Sequence, residues 1–338
     1  MSVMTLALVV ATNAQIQGLT FANPTVPLNQ TYFDSLQKAN IDLTTLVVVV
    51  VGGSSGIGKA AVDEYRNLGC IVIVTSRDWS NHPDYREDVD KRTLDVTRPR
   101  QRRRFTNYMR NNYGVIHVLH LNSARVNIGT PLGTGMQKRK LLWETNYFGP
   151  IALYRDVECL FSDSGYAHVM ITCSIANDQF LIPNADGSYQ VVEFFDYYAS
   201  KPAILRFWMA LWAQYENTKI NGTDWPAVNA NIKVSIVNPA QYSTRLGYNA
   251  IVADSDFAES RYPFDFGVLG LPLENIGKAF GQLIRLENPP LINYVVDQSV
   301  SVTDPNPYPA IYQDTFYRSM GFITDISVDV DDSAWPPV

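Results

Sequence analysis

From Leu46 to Val51 the chain is apolar without interruption, and five valines in a row leave no alternation between polar and apolar positions. Such a run predicts a strand covered on both faces, as the central strand of a parallel sheet is. A glycine cluster ends the run, and from Lys59 to Leu68 the apolar spacing becomes helical until Gly69 stops it. Cys70 to Thr75, Val115 to Leu121, His168 to Thr172, Ile232 to Val237 and Leu291 to Val296 are further apolar runs of strand length. Helical spacing recurs between them: Phe105, Tyr108, Met109 and Tyr113 form one stripe, and Asn275 to Leu286 reads as another helix. Strands alternating with helices predict an α/β fold, a Rossmann-like doubly wound parallel sheet in a single domain.

Composition narrows the function classes. With 338 residues, 46% hydrophobic and 18% charged, the chain can bury one large core. A net charge of −6 supplies no general attraction to nucleic acid or to an anionic membrane. The basic run Arg98 to Arg104 precedes the Phe105 stripe, which predicts arginines on the solvated face and first turn of an amphipathic helix. Cys70, Cys159 and Cys173 have no paired spacing, and the four histidines form no ligand cluster with them, so neither a disulfide framework nor a metal site is expected. Residues 1–45 read as an N-terminal arm, 46–296 as the single α/β domain and 297–338 as an acidic, proline-rich tail. Thr5 to Thr12 is short for a leader and lacks a basic residue before it, so the expected location is the cytoplasm, with a signal peptide as the alternative. No stretch approaches the roughly 20 apolar residues of a membrane span.

The first turn carries the candidate chemistry. Gly52, Gly56 and Gly58 fall where a side chain would hold the backbone off a phosphate, or the helix off the sheet. The N–H groups opening the helix would face the pyrophosphate of a dinucleotide. The spacing Gly52-Gly53-Ser54-Ser55-Gly56-Ile57-Gly58 resembles the Thr-Gly-x-x-x-Gly-Ile-Gly motif of the short-chain dehydrogenase/reductase family, with Val51 in place of the threonine. That resemblance makes Gly52, Ser54, Ser55, Gly56, Ile57 and Gly58 the expected phosphate cradle.

At the end of the second strand, an NAD site places a carboxylate to bind both ribose hydroxyls. Here the strand runs into Ser76-Arg77, a hydroxyl and a guanidinium suited to a 2′-phosphate, and the expected cofactor is NADP(H). Leu94-Asp95-Val96-Thr97 resembles the family's segment whose aspartate reaches the adenine, and Asn122 is what remains of its Asn-Asn-Ala-Gly passage. Pro239 and Thr244 match the Pro-Gly-x-x-x-Thr segment that meets the nicotinamide carboxamide, with Ala240 replacing the glycine.

Trp143 to Gly149 resembles the family's Asn-x-x-Gly helix, in which Asn146 would bend the helix and hold a water of the proton relay. Cys173-Ser174 resembles its Ser-Ser pair, and Tyr197-Tyr198-Ala199-Ser200-Lys201 its Tyr-x-x-x-Lys motif, with phenol and ammonium one helical turn apart. Reduction of a carbonyl by hydride creates an alkoxide that must be stabilised and protonated in place. The resemblance assigns Ser174 to the oxyanion, Tyr197 to the proton, and Lys201 to favouring the phenolate and binding the nicotinamide ribose. It implies an NADP-dependent dehydrogenase/reductase acting on a small carbonyl or alcohol, apolar or aromatic, with Tyr242, Tyr248, Tyr262 and Phe264 as candidate contacts.

Other readings stay open. A domain that binds NADP(H) without catalysing, as a sensor or scaffold, has the same glycine turn. Phe180 to Phe195, two apolar runs around Asp186-Gly187, predicts a hairpin beside the site, either covering the pocket or decorating the surface. On the helix after Lys201, one stripe (Ile204, Phe207, Leu211) and a second (Leu205, Trp208, Trp212, Tyr215) exceed what one contact requires. A homodimer or homotetramer is therefore expected, one stripe facing a symmetry mate.

Overall fold

The structure is a computed structural model, which describes residues 36–161, 165–174, 181–183, 189–191, 194–216, 219–220, 223–224, 232–239, 242, 244, 246, 251–252, 273–289 and 291–295. Seven strands form the main sheet: β1 (Val47–Val51), β2 (Ile71–Ser76), β3 (Asp90–Thr93), β4 (Val118–Leu121), β5 (Ala167–Thr172), β6 (Ile232–Pro239) and β7 (Ile292–Val295). All neighbours are parallel, in the order β7-β6-β5-β4-β1-β2-β3. The chain builds outward from β1 in one direction through β3, then returns to β4 on the other side. This reversal opens a crevice at the C-terminal ends of β1 and β4, where sheets of this type bind their ligands.

The valine run behaves as its pattern predicts. Val47, Val49 and Val51 point into one core with Phe105, Met109, Leu153, Val157 and Trp208, while Val48 and Val50 point into another with Val62, Tyr65, Ile276 and Phe280. Alternate side chains of a strand lie on opposite faces, so a strand buried twice must be apolar throughout. Burying each valine contributes about 1.5–3 kcal/mol before the chain entropy is counted. The first core is closed by α2 (Pro99–Asn112), α4 (Gly149–Val157) and α5 (Phe195–Glu216), the second by α1 (Gly56–Asn67) and α6 (Leu273–Leu283). α3 (Met136–Trp143) leads into α4 through a π-helical turn, Glu144–Phe148.

Several boundaries shift from those the pattern predicts. The fourth strand starts at Val118, because Ile116 turns aside to bridge Phe161 and donates its N–H to Leu160. β3, of sequence DKRT, has no apolar signal; it is an edge strand whose Asp90 accepts from the hydroxyls of Tyr108 (2.5 Å) and Tyr113 (2.8 Å) on α2 and the residue after it. On α2 itself Arg100, Arg103 and Arg104 face solvent as expected, while Arg102 turns inward to Asp156 at 2.9 Å. The end of the arm lies against the domain: Ala39 donates to the Arg285 carbonyl and Glu287 to that of Gln37. Leu181–Pro183 and Tyr189–Val191 pair antiparallel, which is the hairpin expected between Phe180 and Phe195; its Asp186-Gly187 tip lies outside the described residues. Outside them too are Tyr248, Tyr262, Phe264, Ala240 and the tail. Among the described residues no helix is long and apolar enough to cross a membrane, and no group of His, Cys, Asp and Glu could hold a metal ion.

Candidate active site

The glycine turn is cleared for close approach. Gly52 and Gly56 adopt φ of +80° and +55°, a region that glycine enters without strain. A Cβ on Gly58 would lie 2.3 Å from the Gly52 carbonyl oxygen and 2.5 Å from Asn122 Nδ2, so helix and turn meet only because that side chain is absent. Neighbouring strands fix the loop: the N–H groups of Gly52 and Gly53 both donate to the Thr75 carbonyl at 3.1 Å, and Asn122 Nδ2 donates to the Gly52 carbonyl at 3.0 Å. Tyr85 adds a hydrogen bond to the Gly53 carbonyl at 2.7 Å. Where Val51 lacks the motif's hydroxyl, Thr75 on β2 places its own 3.4 Å from the Gly52 nitrogen. Ser55 is the N-cap residue of α1 and is exposed, with no side-chain hydrogen bond to the helix start. Ser54 and Ile57 are half-buried beside it. A shallow turn without side chains, opening onto uncapped helix N–H groups, fits a pyrophosphate.

Around this turn the described residues group by strand end. Ser76 is buried; its hydroxyl donates to the Asp78 carbonyl at 2.7 Å and lies 3.2 Å from Ser54 Oγ, which engages it in its own turn. Arg77 is exposed next to it, and the nearest acid, Asp78, is occupied by Ser80 through two hydrogen bonds of 2.8 Å. Asp95 accepts from the Thr97 N–H (3.0 Å) and hydroxyl (2.7 Å) and pairs with Arg98 at 3.4 Å. Val96 is buried against Gly149. Pro239 ends β6 in the core, and Thr244 crosses over the loop, close enough that a Cβ on Gly56 would approach its side chain to 3.3 Å. Tyr242 is buried in the second core and packs there, so it does not line a pocket.

The chemistry-bearing side chains gather at the ends of β5 and β6 and on α5. Ser174 follows β5 and its N–H donates to Asn238 Oδ1 at 3.3 Å. Lys201 is 4% exposed; its Nζ donates to the Thr172 carbonyl at 3.2 Å and sits 5.2 Å from the centre of the Tyr197 ring. Tyr197 stays half-buried while Tyr198 is buried in the fold. Asn146 lies inside the π turn, a local widening that displaces its side chain from the helical register. Its amide brackets Arg125, accepting from that residue's N–H at 2.8 Å and donating to its carbonyl at 2.9 Å, and also reaches Ser200 Oγ at 3.1 Å.

Three contributors have no motif to reveal them. Tyr85 and Thr75 hold the glycine turn through contacts across the sheet. Asp196, next to Tyr197, pairs with Arg139 at 3.1 Å and so ties the first turn of α5 to α3. Burial raises the Asp196 carboxyl and Arg139 lowers it, the first effect being the larger.

A parallel sheet that reverses at β1, with a bare glycine turn at the reversal, defines a Rossmann-like nucleotide-binding class of fold. Residues 46–250 match the family described as short chain dehydrogenase, and the chain belongs to that family of oxidoreductases, the short-chain dehydrogenase/reductases. It is similar to dehydrogenase/reductase SDR family member 7B of Danio rerio, 25% identical over 222 residues that cover 62% of this chain. The match spans 64% of that relative's length. In fold it is similar to a short-chain dehydrogenase from Streptomyces avermitilis (TM-score 0.59, 21% identity, covering 81% of this chain and 96% of that one). A second such structure is the aldohexose dehydrogenase of Thermoplasma acidophilum (TM-score 0.59, 20% identity, 78% and 97% covered).

Proposed function

We propose that this protein interconverts a carbonyl and an alcohol with NADP(H). The observation that carries the reading is the placement of Lys201: nearly buried, held by the Thr172 carbonyl two residues before Ser174, its ammonium facing the Tyr197 ring. When bound, the cofactor supplies or accepts a hydride at the carbonyl carbon. The developing negative charge then falls on the carbonyl oxygen, where Ser174 donates a hydrogen bond and Tyr197 gives up its hydroxyl proton. Lys201 favours the anionic phenol that results and serves the nicotinamide ribose, and Asn146 positions the helix turn behind it. Gly52, Gly56, Gly58 and the opening of α1 hold the pyrophosphate, with Ser54, Ser55 and Ile57 around them. Asp95, Val96 and Asn122 border the adenosine, and Pro239 and Thr244 the carboxamide end. Purified protein incubated with NADPH and a panel of aldehydes, ketones and quinones should oxidise the cofactor only where a carbonyl is present.

Cofactor choice rests on the end of β2. Ser76 is bound into its own turn, which leaves Arg77 as the exposed cation there; Asp78, also exposed, accepts from Ser80. NADPH should bind more tightly than NADH in a fluorescence titration, and Arg77→Ala should narrow the gap by about tenfold. Equal affinities in the unmutated protein would remove this preference.

Assembly follows from the α4–α5 face. Leu205, Trp208, Trp212 and Tyr215 are buried within the protomer, and so is Ile204 of the other stripe. Phe207 and Leu211 remain partly open, and the Phe207 ring continues through Tyr147 (6.3 Å) to Phe148 (5.0 Å further), which is 52% exposed. A symmetry mate covering this face gives an even-numbered oligomer. Light scattering at micromolar concentration should show at least a dimer, and Phe148→Glu should shift it to monomer; a monomeric unmutated protein argues against the interface.

A further inference from the structure

Two groups of the proposed reaction are referenced to the sheet: Lys201 by the Thr172 carbonyl on β5, and the Ser174 backbone by Asn238 on β6. Tyr197 belongs instead to the first turn of α5, which begins at Phe195. The N–H groups of a first turn have no partner inside the helix, and helix ends fray before the turns behind them. Arg139, the fourth residue of α3, grips that turn from outside.

The Arg139 side chain meets three partners at once. Its Nε faces both carboxylate oxygens of Asp196, at 3.1 and 3.2 Å, its Nη2 donates to the Pro131 carbonyl at 2.7 Å, and its Cζ lies 5.0 Å from the centre of the Phe195 ring. Phe195 and Asp196 are the two residues immediately before Tyr197, so the grip falls on the turn of the proposed proton donor. The post itself is braced. Asn127, buried in the passage after β4, donates to the Lys138 carbonyl beside Arg139 at 2.9 Å. The turn carrying Pro131 is closed by Thr130, whose carbonyl accepts from the Thr134 N–H (3.1 Å) and whose hydroxyl accepts from the Gly133 N–H (2.9 Å). A lysine would supply the charge but not the fork that serves Asp196 and Pro131 together.

Stability alone is a weak reason for such a pair. Asp196 is 4% exposed, and the cost of taking two charges out of water largely offsets their attraction, so packed apolar side chains would join two helices as well. What the bonded pair adds is one fixed geometry. Proton transfer depends on it, because a displacement of about 1 Å at a reacting group can cost about a hundredfold in rate.

We infer that Arg139 is a positioning residue for the reaction, acting through Asp196 to hold the Tyr197 hydroxyl in place against the substrate carbonyl. This rests on the reading of Tyr197 as proton donor.

The test is steady-state kinetics of the full chain with NADPH and one carbonyl from the panel, beside a fluorescence titration with NADPH. Arg139→Met should lower kcat by about ten- to a hundredfold and leave the NADPH dissociation constant and the carbonyl KM within about threefold. Asp196→Asn keeps the shape of the side chain and should show the same selective loss; the double variant should cost no more than the larger single loss, since both cut one link. In a Tyr197→Phe background, Arg139→Met should change the residual rate by less than about threefold, which a general loosening of the fold would not predict. Arg139→Lys keeps the charge should Arg139→Met fail to fold, and it should still lose about tenfold in kcat because Pro131 is released. Full kcat in these variants would overturn the positioning role. So would losses of kcat and NADPH affinity that run together, or losses from Arg139→Met and Tyr197→Phe that multiply, while the proton-donor reading would stand. A folded unmutated protein that reduces no carbonyl removes that reading and the positioning role with it.

Discussion

Tyr197→Phe should remove most carbonyl turnover, by a factor of about 10²–10⁴, while NADPH affinity changes by less than about threefold. In the proposed mechanism the removed oxygen is the one that transfers the proton, and no part of it serves the pyrophosphate. The neighbouring phenol is the control. Tyr198 lies only three residues from Lys201, against four for Tyr197, and both spacings bring a side chain to the same helix face. Burial separates them: Tyr198 is 7% exposed and packed within the fold, whereas Tyr197 is half open and its ring faces the ammonium. Tyr198→Phe should therefore keep activity within about threefold, its cost being confined to stability. Steady-state kinetics with one substrate from the carbonyl panel decide this; the reverse pattern would place the proton donor on the wrong residue.

Acid should destabilise the fold well before the carboxylates are titrated. His120 on β4 and His168 on β5 are fully buried, and burial pushes both down to about 3. A smaller effect comes from His168 acting on His120 and from Lys233 acting on His168. His120 lies between the Tyr65 hydroxyl (3.2 Å) and Thr172 Oγ1 (2.8 Å), with Phe280 edge-on at 4.4 Å between ring centres. His168 bonds the Tyr166 hydroxyl through Nδ1 at 2.8 Å, and its Nε2 has no partner among the described residues. Both folded values lie below the unfolded value near 6.5, so the unfolded chain binds more protons in the interval between. Stability is complete above about pH 6.5 and falls as pH drops toward 3. For two such groups the loss from pH 7 to pH 5 is on the order of 4 kcal/mol, a large part of a domain's usual 5–15. Thermal melts across this range should show a steep fall, and His168→Leu should remove about half of it. A melting temperature independent of pH from 7 to 5 would contradict the buried neutral pair.

What could be read from the sequence was what is encoded locally. The valine run of β1 declares a doubly buried strand because every position is apolar, and the glycine cluster declares a bare turn because three separate close approaches exclude a side chain. The spacing of Tyr197 and Lys201 is a property of one helix, and Asn146 lies in a π turn. β3 was not legible: its DKRT sequence is that of an exposed edge, and its pairing is secured by Asp90 reaching hydroxyls on another element. Ser76 was legible as a strand-end hydroxyl but not as one committed to the Asp78 carbonyl, since the following turn decides that.

The central claim is that these residues reduce a carbonyl at the expense of NADPH. Its most direct test is the loss of reduced-nicotinamide absorbance when purified protein meets the aldehyde, ketone and quinone panel, run beside Tyr197→Phe. The account predicts oxidation that depends on a carbonyl compound, yields the matching alcohol or hydroquinone, and nearly vanishes in the variant. Tight NADPH binding with no oxidation by any member of the panel, in a protein shown to be folded, would contradict it and leave a binding protein in place of an enzyme.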